Sequence, residues 1–569
     1  MRQAVQDCLP EANSANVLVK PCADPKHGDY QTASLMPLAK ERRLNPRQLA
    51  SDVVARLRLP SWVLQVEIAG AGFVNFRISA AILMECLNAA ARGEHLFFEP
   101  VERPLTIVID FSSPNVAKPM HVGHIRSTIL GDGLARTCRL LGHRVITDNH
   151  IGDWGTQFGK LLLGWKQSSD RTSLQRDALE QMERIYRGIN AACEADPAML
   201  EKARHELVKL QAGDSENLKL WREMIERSQA QFADIYRRLG VHFDYTLGES
   251  FYNPRLKLVV QELQNRGVAR ESEGAMAVFF DDIPELKAHP ALIQKNDGAA
   301  NYMTTDLATL QYRVENWKPD EIVYVTDGRQ QLHFKQLFTV FRRWRPDLQL
   351  KLAHVWFGAI LGEDGKPFKT RSGDTIKLTD LLDEAEERAF RVVSEKNPGL
   401  DEQQRYEIAR IVGIGAIKYA DLLPNRQSDY TFSWDKMLAL NGNTAPYLLY
   451  AYARIRSIFR KHGAATDSST ASNTPMTPAD LSAEEEVILV KHLLSFGLVL
   501  EAVAEEYRPN YLCNYLYELA GYFARFYENC PVLKADEPQK QTRLLICDLT
   551  SKVLKQGLNL LGIETAEQM

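Results

Sequence analysis

Two histidines three residues apart, His121 and His124, flank Val122 and Gly123. If a helix starts there, both rings lie on one side, because residues three apart are helical neighbours. A helix N-terminus also offers unpaired N–H groups and a positive dipole end, which suit phosphate. Imidazole N–H groups at such a place can donate to phosphate oxygens as negative charge builds in phosphoryl or nucleotidyl transfer. Gly123 leaves room for a flat base against the backbone. Standing alone, the pair would read as ordinary surface histidines; its surroundings reverse that reading. A second signal is YLLYAYARIRSIFRK at 447–461, where Tyr447, Tyr450 and Tyr452 interleave with Arg454, Arg456, Arg460 and Lys461. Aromatic rings can stack unpaired bases while cations hold phosphates. The competing reading is a helix with a tyrosine-lined core face and solvated arginines.

The histidine pair needs a frame, and the flanking sequence supplies one. LTIVID (105–110) is a continuous, β-branched apolar run, as expected of a strand covered on both faces. The loop FSSPNVAKPM follows, then helical spacing through Val122, Ile125, Ile129, Leu134, Cys138 and Leu141 up to Gly142. RVITD (144–148) is the next strand, which completes a βαβ unit. EIVYV (321–325), a helix over 332–343 and a strand over 350–356 make a second such unit. Residues 160–240 read as a helical insertion. Ahead of this, residues 1–100 read as a small α/β module, with helical pattern over 31–58 and 79–92 and strands at 62–68 and 73–78. From 378 onward the pattern is helical with no convincing strand, interrupted by a Ser/Thr/Ala/Pro-rich connection at 464–483.

With 569 residues, the chain has room for several domains, and its net charge of −4 points to no particular partner. The apolar and charged fractions are those of a globular protein. No apolar run approaches a membrane span, and the first residues lack a signal or transit pattern, so a cytoplasmic protein is expected. The eight cysteines show no zinc spacing and read as buried small hydrophobes.

Several stretches together carry a resemblance. FSSPNVAKPMHVGHIRSTILGD, DNHIGDWGTQFG (148–159), GESFYNP (248–254), LGEDGKPFKTRSGDTIKLTDLLDEA (361–385) and GNTAPYLLYAYARIRS (442–457) are similar to the arginyl-tRNA synthetases of class I, bacterial type. GDYQTASLMPLAK near the start resembles that family's added domain. The resemblance implies a small amino-terminal α/β domain (1–100), which contacts the tRNA elbow around Phe73 and Asn75. It implies a Rossmann-type catalytic domain (104–377) with a helical insertion, a helical stem-contact region (378–440) and an all-α anticodon-binding bundle (441–569). Expected substrates are L-arginine, ATP with Mg2+, and tRNA(Arg); no structural zinc and no membrane partner are expected, and the chain should act as a monomer.

The resemblance also assigns roles. His121, Gly123 and His124 would hold ATP. On the second ATP loop, Lys366, Lys369 and Arg371 would close over the triphosphate. The loop reads GKPFKTRSG and lacks the family's usual second lysine in its place; Lys118, three residues before His121, would substitute. Glu249 and Asp306 would grip the guanidinium, a planar fork of donors best met by carboxylates. Tyr302 would pack beside the substrate stem, Asn115 and Gln330 would hold the α-amino and carboxylate end, and Asp110 is a further candidate for the amino group. Tyr447, Tyr450, Arg454 and Arg456 would meet the anticodon arm. The acid-rich stretch 479–506 should face away from RNA. The alternatives are a synthetase for another amino acid, a small-molecule adenylyltransferase, or an inactive synthetase-like RNA-binding protein.

Overall fold

The computed structural model describes residues 1–12, 17–22, 24–168, 178–296, 298–368, 375–463 and 481–569. Four parallel strands form the catalytic sheet, in the spatial order Lys351–His354, Glu321–Val325, Thr106–Phe111, Arg144–Asp148. The two inner strands are buried along almost their whole length, which is why their sequences do not alternate. From Thr106–Phe111 the chain first adds a strand on one side and later two on the other. The order therefore reverses beside that strand. The crevice outside its carboxyl end is where such sheets bind ligands.

Helix Val122–Leu140 packs onto this strand so closely that a Cβ on Gly131 would lie 2.2 Å from Phe111 Cγ. The helix stops at Gly142, which takes the left-handed φ of +92°. The insertion comprises helices Thr156–Gln167, Ala178–Ala195, Pro197–Gln211 and Ser215–Arg238, around a small core of its own that includes Phe158, Leu162, Met182 and Met224. A three-stranded antiparallel sheet, Arg270–Ser272, Ala275–Val278 and Ala291–Gln294, follows.

In the amino-terminal module, Tyr30–Thr32 is a strand, inside the stretch read as helical. Its pairing with Phe73–Ile78, far along the chain, overrides the local pattern. Helices Leu35–Glu41 and Pro46–Val54 take the rest of that stretch. The carboxy-terminal half holds seven long helices among the described residues, from Leu378–Lys396 to Gln539–Leu560. One short strand, Tyr430–Thr431, lies where none was expected; it runs parallel to Ile360–Leu361. A single buried cluster runs from Ile107 and Ile109 of the sheet to Leu489 and Val553 of the bundle, so the two domains share a core.

Two composition-level readings need correction. The segment Glu484–Glu506 is long and apolar enough to cross a membrane, with a mean hydropathy of 1.9, although no such run was expected. Ser495 breaks it into helices Glu484–Leu494 and Phe496–Glu506, and Leu489, Leu493, Phe496 and Leu500 are fully buried. Of the eight cysteines, all free, Cys8, Cys22 and Cys86 are only partly buried.

Candidate active site and RNA-binding face

His121 is the N-cap of the signature helix. Its Nδ1 accepts the Gly123 N–H at 3.1 Å, and His124 Nδ1 accepts the His121 N–H at 3.1 Å. A Cβ on Gly123 would sit 2.9 Å from His121 Cε1, so the glycine makes room for the capping ring. Burial pushes the His124 pKa down to about 3, helped by His121, and burial also lowers His121. Both rings are therefore neutral at pH 7. With each Nδ1 accepting, each proton sits on Nε2. The result is two Nε2–H donors on rings 4.0 Å apart at a helix N-terminus, suited to phosphate oxygens.

The loop before this helix is strained: Ser112, Ser113 and Ala117 all have left-handed φ values, of +73°, +49° and +64°. Hydrogen bonds hold it there. Ser112 Oγ meets Tyr236 Oη at 2.8 Å and accepts from Thr128 Oγ1 at 2.8 Å, while Ser127 Oγ donates to the Val325 carbonyl at 2.6 Å. Asn115 stands exposed on this loop against Gly152, where any Cβ would fall 2.2 Å from its Oδ1. Lys118 lies 5.0 Å over the ring of Tyr186, from the insertion helix Ala178–Ala195.

The loop expected to close over ATP is anchored beside the histidine pair. His121 and Lys377 form an antiparallel bridge, with Val122 N–H donating to the Ile376 carbonyl (3.0 Å) and Leu378 N–H to the Met120 carbonyl (2.9 Å). Gly365, at φ +74°, turns the loop's entry, and Lys366 follows it exposed. Lys369 and Arg371 lie outside the described residues.

Glu249 opens helix Glu249–Asn265, where Asp153 takes the place of a cap by accepting from Ser250 N–H (2.8 Å) and Ser250 Oγ (2.6 Å). A Cβ on Gly248 would strike that carboxylate at 2.2 Å. Burial, then the charges of Asp306 and Asp153, push the Glu249 pKa up to about 8. Among the described residues no lysine or arginine pairs with Glu249. Asp306 lies one turn past Tyr302 on helix Tyr302–Trp317 and meets His333 Nε2 at 2.6 Å. Burial opposes the charge on His333, but the Asp306 hydrogen bond outweighs it and raises that pKa. Tyr302 is 68% exposed above this pair, close enough to Glu249 for that carboxylate to raise its pKa, after burial. Gln330 is exposed at the end of the turn Gly328–Gln330, past strand Glu321–Val325. Two carboxyls that repel one another, with no lysine or arginine paired to either among the described residues and only His333 on Asp306, form a seat for a cationic group.

Asp110 is held differently. Arg313, fully buried, pairs with Asp110 at 2.5 Å and with Asp148 at 2.8 Å, and Ser113 Oγ donates to Asp110 at 3.1 Å. Both Asp110 oxygens are occupied, so an incoming amino group would have to share them. Beside this triad, Asp148 Oδ1, His150 Nδ1 and Tyr252 Oη are buried with no hydrogen-bond partner among the described residues. They are part of a polar floor that the sequence reading missed, although DNHIGDWGTQFG and GESFYNP contain them.

Three family models cover most of the chain. "tRNA synthetases class I (R), catalytic domain" matches residues 94–434, the DALR anticodon binding domain 448–569, and the arginyl tRNA synthetase N terminal domain 1–78. The chain belongs to the class I arginyl-tRNA synthetases. It is 45% identical to the arginine–tRNA ligase of Klebsiella pneumoniae (strain 342) over 575 residues, 100% of this chain and 97% of that one. The Chromobacterium violaceum ligase is also 45% identical, over 580 residues, 100% and 99% of the two chains. The solved arginyl-tRNA synthetase of Thermus thermophilus superposes with a TM-score of 0.83 at 25% identity, covering 100% of this chain and 99% of that one. The Plasmodium falciparum structure gives 0.81 at 28%, covering 100% and 97%.

In this synthetase the tyrosine-rich helix, Ala445–His462, is divided between two faces. On one face Tyr450 is exposed, and Arg454 lies over both Tyr450 (5.8 Å) and Tyr527 (5.3 Å). Tyr447, partly buried, meets Tyr517 at 5.7 Å between ring centres. On the other face Tyr452 is buried and donates to Glu567 at 2.6 Å, while Arg456 pairs with Glu567 at 2.7 Å and is 13% exposed. Arg456 is therefore a strut to the end of the chain rather than an open cation. Tyr517 and Tyr527, from helix Asn510–Asn529, complete the exposed face; its run NYLCNYLYELAGYFARFYEN was the overlooked signal.

One further placement corrects expectation, and a second adds to it. Asn75 sits on an inner strand of the amino-terminal sheet between Tyr30–Thr32 and Val63–Ala69, 4% exposed, so its side chain is not on the surface; Phe73 on the same strand is half-buried. Within the acidic stretch 479–506, Glu486 is fully buried, accepting from Arg543 Nε and Gln539 Nε2 at 2.7 Å each, a placement that leaves the reading of the stretch as facing away from RNA untouched.

Proposed function

We propose that the enzyme joins L-arginine to ATP, releasing pyrophosphate, and then passes arginine to the terminal ribose of tRNA(Arg), releasing AMP. The Glu249–Asp306 pair carries the choice of amino acid: Asp306 raises the Glu249 pKa, and no lysine or arginine among the described residues pairs with either carboxyl, Asp306 meeting only His333. A guanidinium satisfies both with its fork of donors, which lysine cannot span and citrulline cannot match in charge. Tyr302 would cover the substrate stem, with Asn115 and Gln330 at its α-carbon end. Asp110 would contribute field more than a direct contact.

In the first step an arginine carboxylate oxygen attacks the α-phosphorus and the bond to pyrophosphate breaks. The Nε2–H groups of His121 and His124 would donate to the phosphate oxygens as charge moves onto them. Gly123 would lie against the base. Lys118, Lys366, Lys369 and Arg371 are the cations available to the leaving pyrophosphate. Mg2+ would arrive with ATP as part of the substrate; no cluster of three metal-binding side chains exists among the described residues, so phosphate oxygens would hold it.

The anticodon arm would lie on the face of Tyr447, Tyr450 and Arg454, extended by Tyr517 and Tyr527. Phe73 marks the amino-terminal side for the elbow. Because the arginine contacts come from separate segments, bound tRNA would align them, so activation would require RNA. The enzyme would work as a monomer in the cytoplasm. The deciding assay offers total tRNA and each labelled amino acid in turn; charging with any amino acid other than arginine would refute the assignment.

A further inference from the structure

We propose that Arg426 is a positioning residue that couples RNA seated on the carboxy-terminal bundle to both ATP-holding segments, a role that rests on activation being RNA-dependent. Its side chain crosses between domains. Nε donates to the Tyr507 carbonyl at 3.0 Å and Nη1 to the Trp356 carbonyl at 2.6 Å. The backbone answers, with Gly358 N–H donating to the Arg426 carbonyl at 2.9 Å. Tyr507 ends bundle helix Phe496–Glu506 at φ +55°, a left-handed geometry unfavourable to a bulky residue. Its hydroxyl bonds Glu321, at the start of a catalytic strand.

The stretch Trp356–Gly358 is a node on the catalytic side. The Phe357 carbonyl accepts from Gly328 N–H at 3.1 Å, in the turn that carries Gln330. The Gly358 carbonyl accepts from Arg126 Nη1 at 2.8 Å. Arg126 belongs to the signature helix, and its guanidinium lies over the rings of Phe357 (5.7 Å) and Tyr430 (5.1 Å) while pairing with Asp421 at 3.0 Å. A Cβ on Gly358 would approach Asp429 Oδ1 to 2.6 Å, so this crossing admits no side chain. Ile360, just beyond, begins the strand that enters the second ATP loop.

No carboxylate pairs with Arg426 among the described residues. Burial, then the neighbouring Arg508, lower its pKa to about 10. A cation held by carbonyls from two domains depends on their spacing, and the planar guanidinium presents its donors in a fixed fork, where an ammonium is a single point on a flexible stem. Movement of the Tyr507 segment would therefore be felt at Trp356–Gly358, and from there at the signature helix and the second loop.

The test uses the full chain with Arg426→Ala and Arg426→Lys. Arginine-dependent pyrophosphate exchange is measured with intact tRNA(Arg) and with an acceptor-stem minihelix, beside tRNA affinity and melting temperature. The unaltered enzyme should respond more strongly to intact tRNA. Arg426→Ala should lose roughly tenfold in kcat with intact tRNA, little with the minihelix, and keep its tRNA Kd within about twofold. Arg426→Lys should fall between. Equal losses with both RNAs, a loss that tracks weaker tRNA binding, or no loss would each overturn the proposal and leave Arg426 a structural strut. Should Arg426→Ala not fold, Arg426→Lys is judged by the same outcomes. Full exchange by the unaltered enzyme without RNA would refute RNA-dependent activation itself, and the coupling with it, before any variant is compared.

Discussion

Glu249 accepts the Trp154 N–H within a half-buried pocket, its pKa pushed up to about 8, whereas Arg454 stands exposed between Tyr450 and Tyr527. Both regions answer charge with charge, but under different dielectric conditions. In the pocket, Glu249 is desolvated and has no lysine or arginine partner among the described residues, so a missing ligand is costly. On the proposed RNA face, water and neighbouring rings would share the work, and each side chain would contribute modestly. The contrast fits the two substrates: one small cation to be told from near neighbours, and one large polyanion to be held at several points.

The largest expected effect tests the pocket. Asp306→Ala should lower kcat/KM for arginine by roughly a thousandfold or more while tRNA binding persists. A comparable fall in tRNA affinity would erase the distinction between the regions. Next comes pH. With its pKa raised from 4.5 to about 8, Glu249 is protonated below that value and must release a proton to receive a guanidinium. The arginine Kd should rise roughly tenfold between pH 8.5 and 6.5, and Glu249→Gln should flatten that profile. The same shift has a stability sign. The folded form binds the extra proton between pH 4.5 and about 8, so this group's contribution is present below 4.5 and lost as pH climbs to 8. Bound arginine should therefore raise the melting temperature more at pH 8.5 than at pH 6.

Smaller effects belong to the RNA face. Tyr450→Ala or Arg454→Ala should raise KM for tRNA roughly five- to twentyfold, the Arg454→Ala effect shrinking at high salt, with kcat and arginine KM unchanged. A change in arginine KM would show the two regions to be less separate than drawn. Arg456→Ala should have the least effect on charging. It removes the strut to Glu567, so the expected loss is about 1 kcal/mol of stability, read as a lower melting temperature. A loss of tRNA binding as large as that of Arg454→Ala would place Arg456 back on the RNA face.

How far each feature could be read from sequence follows from its range along the chain. The strand–loop–helix at 105–142 was legible because each signal is local: a β-branched run, a helical stripe, and a glycine stop. Helices of the insertion and bundle were legible for the same reason. The strand Tyr30–Thr32 was misread because only its pairing with Phe73–Ile78 makes it a strand. Tyr430–Thr431 was invisible, being two residues stabilised by Ile360–Leu361. In the site, Glu249 and Asp306 could be named from the family resemblance, but not the His333 bond or the triad that engages Asp110. Tyr517, Tyr527 and Arg426 had no motif of their own to announce them.

What the sequence determined by itself is therefore the chemistry on offer: neutral-capable histidines opening a helix, paired acids, and a tyrosine–arginine helix. Tertiary structure decided which of these groups are free to use it. Arg313 engages Asp110 from 203 residues away, Glu567 reaches back to Arg456, and the sheet buries Asn75, while Glu249 pairs with no lysine or arginine among the described residues. The physical reason is that a side chain's type sets which bonds it can make, but only packing sets whether water, a neighbour or a substrate makes them.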